Sequence, residues 1–190
     1  MMTAEGVTQK KVDAICARIL HQERLDQLRW KNKLVDALVL IVPIGYMTVR
    51  YLAKGGSYAH YVEASWEIVA AVLAGLGALK LVSGWTRDSE QHSRQMGENI
   101  SLITQADYLL SKPAIDPEAA LLFKMLADSH EKQDRDLLGG VDAKAKQMAY
   151  REALKEFSKA GQSVVCPNCK SDPWKFVAGP CQMCGGTPQP

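Results

Sequence analysis

The chain has 190 residues, with 23 basic and 21 acidic side chains and a net charge of +2. That length holds one or two modest domains, the near-neutral balance excludes a basic nucleic-acid-binding arm as the dominant feature, and 47% apolar against 23% charged residues excludes disorder. A mean hydropathy of −0.15 is that of an ordinary soluble protein, but the average mixes two apolar blocks with long charged stretches.

The start, MMTAEGVTQKK, has no apolar core and no small-residue cleavage site of a secretory signal. The thiols are therefore expected to be cytosolic and reduced. From about Val7 to Lys33 a thin apolar stripe (Val12, Ile15, Ile19, Leu25, Leu28) on a charged background predicts a helix that continues into the first apolar block. Residues 1–33 are read as an N-terminal cytoplasmic helix.

That first block is Leu34–Ala53, with thirteen uncharged residues between Asp36 and Arg50. The second is Ile68–Trp85, where Lys80 is the one charge. A spanning helix needs about 20 apolar residues. Ten Leu, Ile and Val residues in the first block and eight in the second contribute roughly −0.3 to −0.6 kcal/mol each at a helix centre. Asp36 and Lys80 sit near the ends, where a charge costs less and a lysine can snorkel. Trp30, Trp66 and Trp85 mark block boundaries, and Tyr46, Tyr51, Tyr58 and Tyr61 gather near the outer ends, as in an aromatic belt. Gly55, Gly56 and Ser57 supply a turn. Arg18, Arg24, Arg29, Lys31 and Lys33 precede the first block, against Arg50 and Lys54 in the loop, so both termini are expected on the cytoplasmic side. Residues 34–85 are thus a transmembrane hairpin; a soluble hairpin buried in a bundle is the competing reading.

Within the second block Ala70, Ala74 and Ala78, and likewise Ala71 and Gly75, recur at intervals of four, a pattern that lets helices approach closely in lipid. Two helices make no pore alone, so a homo-oligomer is expected, with a tetramer as the guess. Asp36, Thr48, Lys80 and Ser83 are its candidate pore-lining residues. Alternatively, Asp36 and Lys80 only mark the cytoplasmic interface, where they could pair.

Residues 86–161 form a cytoplasmic helical region. Met96, Ile100, Ile103 and Leu110 recur at helical spacing, and Ser111–Ile115 is a loop. Asp116, Pro117 and Glu118 make a helix start, with Asp as N-cap and Pro at the first position. That helix carries Leu121, Leu122, Met125 and Leu126 and ends near Gly139. A last helix runs from about Val141 to Ala160, with Ala145, Met148 and Phe157, and stops at Gly161. His21, His60, His92 and His130 are read as solvated helix or loop residues, and Asp134 and Asp136 as part of a solvated mixed-charge run. No nucleophile–base pair and no phosphate loop emerges, so no catalytic residue and no enzyme is expected.

Residues 162–190 hold Cys166, Cys169, Cys181 and Cys184 in the pattern C-x2-C-x11-C-x2-C. Each pair places two thiolates on one turn, and two facing turns complete a tetrahedral S4 shell. Pro167 stiffens the first turn, while Gly185 and Gly186 let the chain bend back after the second. The eleven-residue spacer can hold a short hairpin with Trp174, Phe176 and Val177. Zinc is the expected cofactor, structural because four thiolates leave no open position; iron is the alternative. Lys170, Trp174, Lys175 and Phe176 interleave charge with aromatics, which suits base stacking, or the two rings are simply the ribbon's small core.

A hairpin with flanking helices, then CPNC, eleven residues and CQMC, resembles the mobile-element-associated proteins named for a CxxC-x11-CxxC signature. Its membrane part resembles a SLATT domain, the two-helix effector module of bacterial nucleotide-linked conflict systems. The residues thus read as an all-α membrane protein, a two-helix transmembrane hairpin with a cytoplasmic helical bundle and a small C-terminal zinc ribbon, expected in the bacterial inner membrane. The resemblance implies an oligomeric pore effector of anti-phage defence, gated by a nucleotide or single-stranded oligonucleotide made by a partner nucleotidyltransferase. Opening would depolarise the membrane and kill or arrest the infected cell. It carries over no ligand motif. Arg87, Arg94, Lys144, Lys146, Arg151 and Lys155 are the cations available to such a polyanion, which must supply about 5.5 kcal/mol of differential binding to throw a two-state gate. The alternative function is a zinc-ribbon nucleic-acid-binding accessory protein of a mobile element.

Overall fold

The computed structural model describes residues 2–54, 56, 59–159 and 164–188. Gly55, Ser57, Tyr58, Ala160 and Gly161 lie outside the described residues. Five helices occur in order: α1 (Ala4–Ala53), α2 (Ala59–Val82), α3 (Trp85–Leu110), α4 (Pro117–Leu137) and α5 (Ala143–Lys159). No strand forms among the described residues; the spacer of the cysteine motif makes turns and one isolated bridge, Ala178 with Gly186, rather than a hairpin. The chain divides into two compact units: Met1–Arg24 with His92–Pro190, and Leu25–Gln91.

The helix boundaries have local causes. At 1.5 Å per residue, the 50 residues of α1 extend about 75 Å. α1 absorbs both the charged stretch and the first apolar block, passing through Pro43. Gly84 sits at φ +67° between α2 and α3, a backbone region that costs a side chain about 1–2 kcal/mol. Asp116 caps α4 by accepting from the Glu118 amide, with Pro117 at the first position. Asp142 does the same for α5 by accepting from the Ala145 amide at 2.9 Å.

The first unit is built around the start of α1, which contributes to three buried clusters. Val7 and Ala14 meet Leu102, Ala106 and Leu109 of α3 and Phe123 and Ala127 of α4. Ala17 and Leu20 meet Leu138 and Ala149. Val12 and Ile15 meet Tyr150, Ala153, Leu154 and Phe157 of α5 together with all four motif cysteines. The cysteine ribbon is thus part of the core of this unit.

The buried face of α4 differs from its leucine stripe, while in α3 and α5 some of the expected residues, Ile103, Leu110 and Phe157, do pack on the core. α4 buries Ala120, Phe123, Ala127 and Asp134, whereas Leu121, Leu122 and Met125 are 57, 63 and 63% exposed. Two apolar stripes compete on this helix. The alanine face wins because small side chains admit close approach, and because Asp134 on the same face finds buried partners. In α3, Leu102, Ala106 and Leu109 are buried and Ile100 is exposed; in α5, Met148 is exposed.

In the second unit, α1 and α2 run antiparallel. Asp36 pairs with Lys80, Tyr46 stacks on Trp66 with ring centroids 4.1 Å apart, Arg50 meets Glu63 and Lys31 lies over Trp85. Each step forward along α1 is matched by a step back along the partner. Both α1 and the α2–α3 stretch contain a segment long and apolar enough to cross a membrane, and almost nothing in those segments is buried. Leu81 and Val82 are 84 and 87% exposed. A Cβ added to Gly45, Gly75 or Gly77 would meet nothing within 4 Å, so the small-residue face of α2 is open within the chain.

Candidate functional site

The two CxxC segments adopt the same turn. The Lys170 amide donates to the Cys166 carbonyl at 2.8 Å, and the Gly185 amide to the Cys181 carbonyl at 2.7 Å. In both, the residue after the second cysteine takes positive φ: Lys170 at 57° and Gly185 at 68°. The turns face each other and bring the four Sγ atoms within 4.8 Å of one another, all buried. Cys166 Sγ lies 3.9 Å from Cys181 Sγ, and Cys169 Sγ 3.3 Å from Cys184 Sγ. A tetrahedral metal with bonds of about 2.3 Å requires sulfur–sulfur edges of about 3.8 Å. The cluster therefore fits a metal ion in both donor type and spacing.

Polar groups around the sulfurs prepare them for a cation. Ser171, itself buried, places its hydroxyl 3.0 Å from Cys169 Sγ and 3.5 Å from Cys184 Sγ. Asn168 donates to Cys181 Sγ and the Gly186 amide to Cys184 Sγ. Burial pushes all four thiols up. It prevails at Cys166 and Cys184. At Cys169 the Ser171 hydroxyl and amide outweigh it, and at Cys181 the Cys184 amide and the Asn168 side chain do, so both are lowered. Four adjacent thiolates need a cation's charge, and binding one expels the remaining protons. Gln147 of α5 holds the second turn through Nε2, near the Cys181 and Gln182 carbonyls at 3.3 and 3.4 Å. Neither Ser171 nor Gln147 stands out in the sequence; the only signal for Ser171 is a small polar residue just past a CxxC turn.

Trp174 and Phe176 lie outside the ribbon's core, 55 and 39% exposed. Arg151 of α5 lies 3.6 Å over the Phe176 ring, and Lys155 lies 5.8 Å from the Trp174 ring centre. These two cations are therefore on the ribbon's aromatic face. Arg94 pairs with Glu98 on α3 and Lys155 also with Glu152. Lys144 and Lys146 are exposed on α5, and Arg87 belongs to the other unit. Among the hairpin candidates, Lys80 Nζ lies 2.5 Å from Asp36 Oδ1, while Thr48 donates to the Ile44 carbonyl and Ser83 to that of Lys80. Both hydroxyls are thus turned to their own helix backbone.

A polar cluster that sequence reasoning missed lies in the first unit. His21, fully buried, has Nδ1 2.7 Å from His92 Nδ1 and Nε2 2.8 Å from Asp134 Oδ1. Asn99 donates to Asp134 Oδ2 at 3.2 Å. This corrects the assignment of His21, His92 and Asp134 to solvated faces. With Nε2–H of His21 donating to the carboxylate, its Nδ1 accepts from His92, a tautomer assigned from the network. Burial is tolerated because each polar group finds a partner on another helix, and no local pattern in α1, α3 or α4 announces partners so distant in sequence. His130 is likewise largely buried, with Nδ1 3.1 Å from Glu98 Oε2 but outside hydrogen-bond geometry.

The family described as Mobilome CxxCx(11)CxxC protein matches residues 4–187. No curated protein and no solved structure matches the chain.

Proposed function

The chain belongs to the Mobilome CxxCx(11)CxxC protein family, and from that premise we propose that it is a SLATT-type membrane effector. In this reading α1 and α2 cross the bacterial inner membrane as a hairpin with both termini in the cytoplasm. Several copies, four as the working number, assemble into a pore. The helical unit with its ribbon, holding zinc, receives a nucleotide or oligonucleotide from a partner nucleotidyltransferase. Opening depolarises the membrane and arrests or kills the cell in anti-phage defence. The chain itself is read as a non-enzyme.

One observation carries the reading: the apolar segments of α1 and α2 bury almost none of their residues fully and expose large side chains such as Leu40, Ile41, Ile44, Leu81 and Val82. In water an apolar area of that extent is a liability; in lipid it is the solvated surface. The open small-residue face of α2 and the exposed stripe Leu121, Leu122 and Met125 of α4 support self-association. Zinc is favoured because S4 tetrahedral coordination suits a structural ion that needs no vacant position. Fractionation of expressing cells tests the first step. The protein should stay with membranes through an alkaline carbonate wash, and expression with the partner synthase should collapse the membrane potential. Recovery in the soluble fraction without detergent would sink the reading.

A second reading is favoured by the exposed Trp174 and Phe176 beside Lys175, Arg151 and Lys155. Such a face suits single-stranded nucleic acid, as in an accessory protein of a mobile element. Binding should then weaken with salt and vanish in Cys166→Ser. Retention without the ribbon would exclude it.

A further inference from the structure

A cleft of about 430 Å³ lies in the helical unit, at the lower end of small-molecule sites. It runs between Ala17 and Leu20 of α1 and Leu138 beyond α4, and it ends at Gln182 and Met183, the two residues between the cysteines of the second turn. The ribbon thus supplies one wall of a pocket that the sequence places nowhere.

Several charged groups lining the cleft are already engaged. Lys10 is held by Asp128 and Glu131, and Asp134 by His21 and Asn99. Four other polar groups of its lining have capacity to spare. Among the described residues the Asp13 carboxylate receives one side-chain hydrogen bond, from Gln9 Nε2 at 2.8 Å. The buried Tyr150 oxygen also accepts from Gln9, at 3.1 Å, and its own proton has no acceptor among the described residues. Lys146 at the rim has no ion pair among the described residues, and Arg135 reaches Glu131 only at 3.5 Å. Burial pushes Asp13 up to about 6 against the pull of Gln9, so at neutral pH it is mostly ionised and an acceptor, but held so at a desolvation cost that a donating ligand would offset.

The cleft therefore offers an acceptor, Asp13, and a buried donor, Tyr150, inside; apolar walls between; and spare cations at the mouth. We propose that it binds a nucleotide, with an amino-bearing base donating to Asp13 and a phosphate meeting Lys146 and Arg135 at the rim. The inference rests on the reading of the chain as nucleotide-gated and adds where the signal sits and what chemistry it carries. The base lies against Ala17 and Leu20, and the second cysteine turn closes the end of the site.

Calorimetry on the full-length, zinc-loaded chain in detergent tests it, with GMP, UMP, guanosine and ribose 5-phosphate as probes. GMP should bind at least tenfold more tightly than UMP, which lacks the amino group, and than guanosine or ribose 5-phosphate. Lys146→Glu, an exposed change that leaves the fold alone, should weaken GMP at least tenfold and leave guanosine unaffected. Ala17→Trp, which fills the cleft, should abolish binding of both while the thermal melt stays that of the parent. If Ala17→Trp melts early, Lys146→Glu still decides the matter. GMP affinity unchanged in Lys146→Glu, or no binding by any probe at millimolar concentration, would overturn the assignment. Flux measured in liposomes separates this inference from the pore. GMP binding without flux keeps the cleft and removes the gate, whereas nucleotide-gated flux that Lys146→Glu does not alter puts the sensor elsewhere and refutes the cleft.

Discussion

Asp13 and Gly185 show how single positions carry cost for the sake of the site. Because burial raises the Asp13 carboxyl from 3.8 to about 6 in the folded chain, the folded state binds its proton more tightly than the unfolded state does. Below the unfolded value both states are protonated and no penalty exists; between that value and about 6 the penalty grows, and above 6 it is complete. The group therefore destabilises the unit at neutral pH, by at most about 3 kcal/mol, and the loss is relieved as pH falls from 6 towards 4. Asp13→Asn should raise the melting temperature at pH 7, leave it nearly unchanged at pH 4, and flatten the slope between. Gly185 combines a positive φ with a crowded face, where a Cβ would lie 2.8 Å from Gln147 Oε1. Gly185→Ala should cost about 1–3 kcal/mol, measured as a weakened metal affinity in competition with a chromophoric chelator. At the matching place in the first turn Lys170 already tolerates a positive φ, so Lys170→Gly should move that affinity the other way.

At the scale of elements, the antiparallel pairing of α1 and α2 places one ion pair, Asp36 with Lys80, toward the end of the hairpin that adjoins the charged first half of α1. Exposed to water such a pair is worth about 0–1 kcal/mol. At a lipid interface, removing one partner leaves the other charge to bear its own insertion cost, up to about 3 kcal/mol. In lipid nanodiscs, Asp36→Ala and Lys80→Ala should each destabilise the hairpin, and the double variant should recover most of the loss. A coupling energy well below 1 kcal/mol would mean that this end of the hairpin is bathed in water. Helix limits were largely legible here: Asp116-Pro117-Glu118 marks α4 by its capping chemistry alone, and the loop at Ser111–Ile115 precedes it. The buried face of α1 was legible in its stripe, where Val12, Ile15 and Leu25 are buried, but that of α4 was not. α4 offers two apolar stripes, and only contact with α1 and α3, through Phe123, Ala127 and Asp134, selects between them.

For the molecule as a whole, the cysteine ribbon is coupled to the helical unit because its four cysteines belong to the same buried cluster as Val12, Ile15, Leu154 and Phe157. A ribbon with so few apolar residues of its own would draw folding energy from a metal held by its four cysteines. Chelation should therefore do more than empty a surface knuckle. It should loosen α5 from α1, raise hydrogen exchange at Tyr150 and Leu154, and open the chain to proteases near Val164, while the hairpin segment stays protected in detergent. Exchange rates in α5 that do not respond to chelation would show that the helices hold without the ribbon.

The sequence by itself determined the elements whose signals are local: two apolar blocks long enough for a bilayer, the capped helices between them and the ribbon, and four cysteines whose spacing admits a tetrahedral ion. Hydrophobic length, capping chemistry and turn geometry act over a few residues, so they can be read in one dimension. Tertiary structure decided everything that required side chains distant in the chain to meet. It buried His21 against His92 and Asp134, turned the leucines of α4 outward, docked the ribbon on α5 through Gln147, and opened a cleft whose end wall is the second cysteine turn. Those outcomes depend on which polar group finds a partner and which small residues allow close approach, and that competition is settled only when the helices pack.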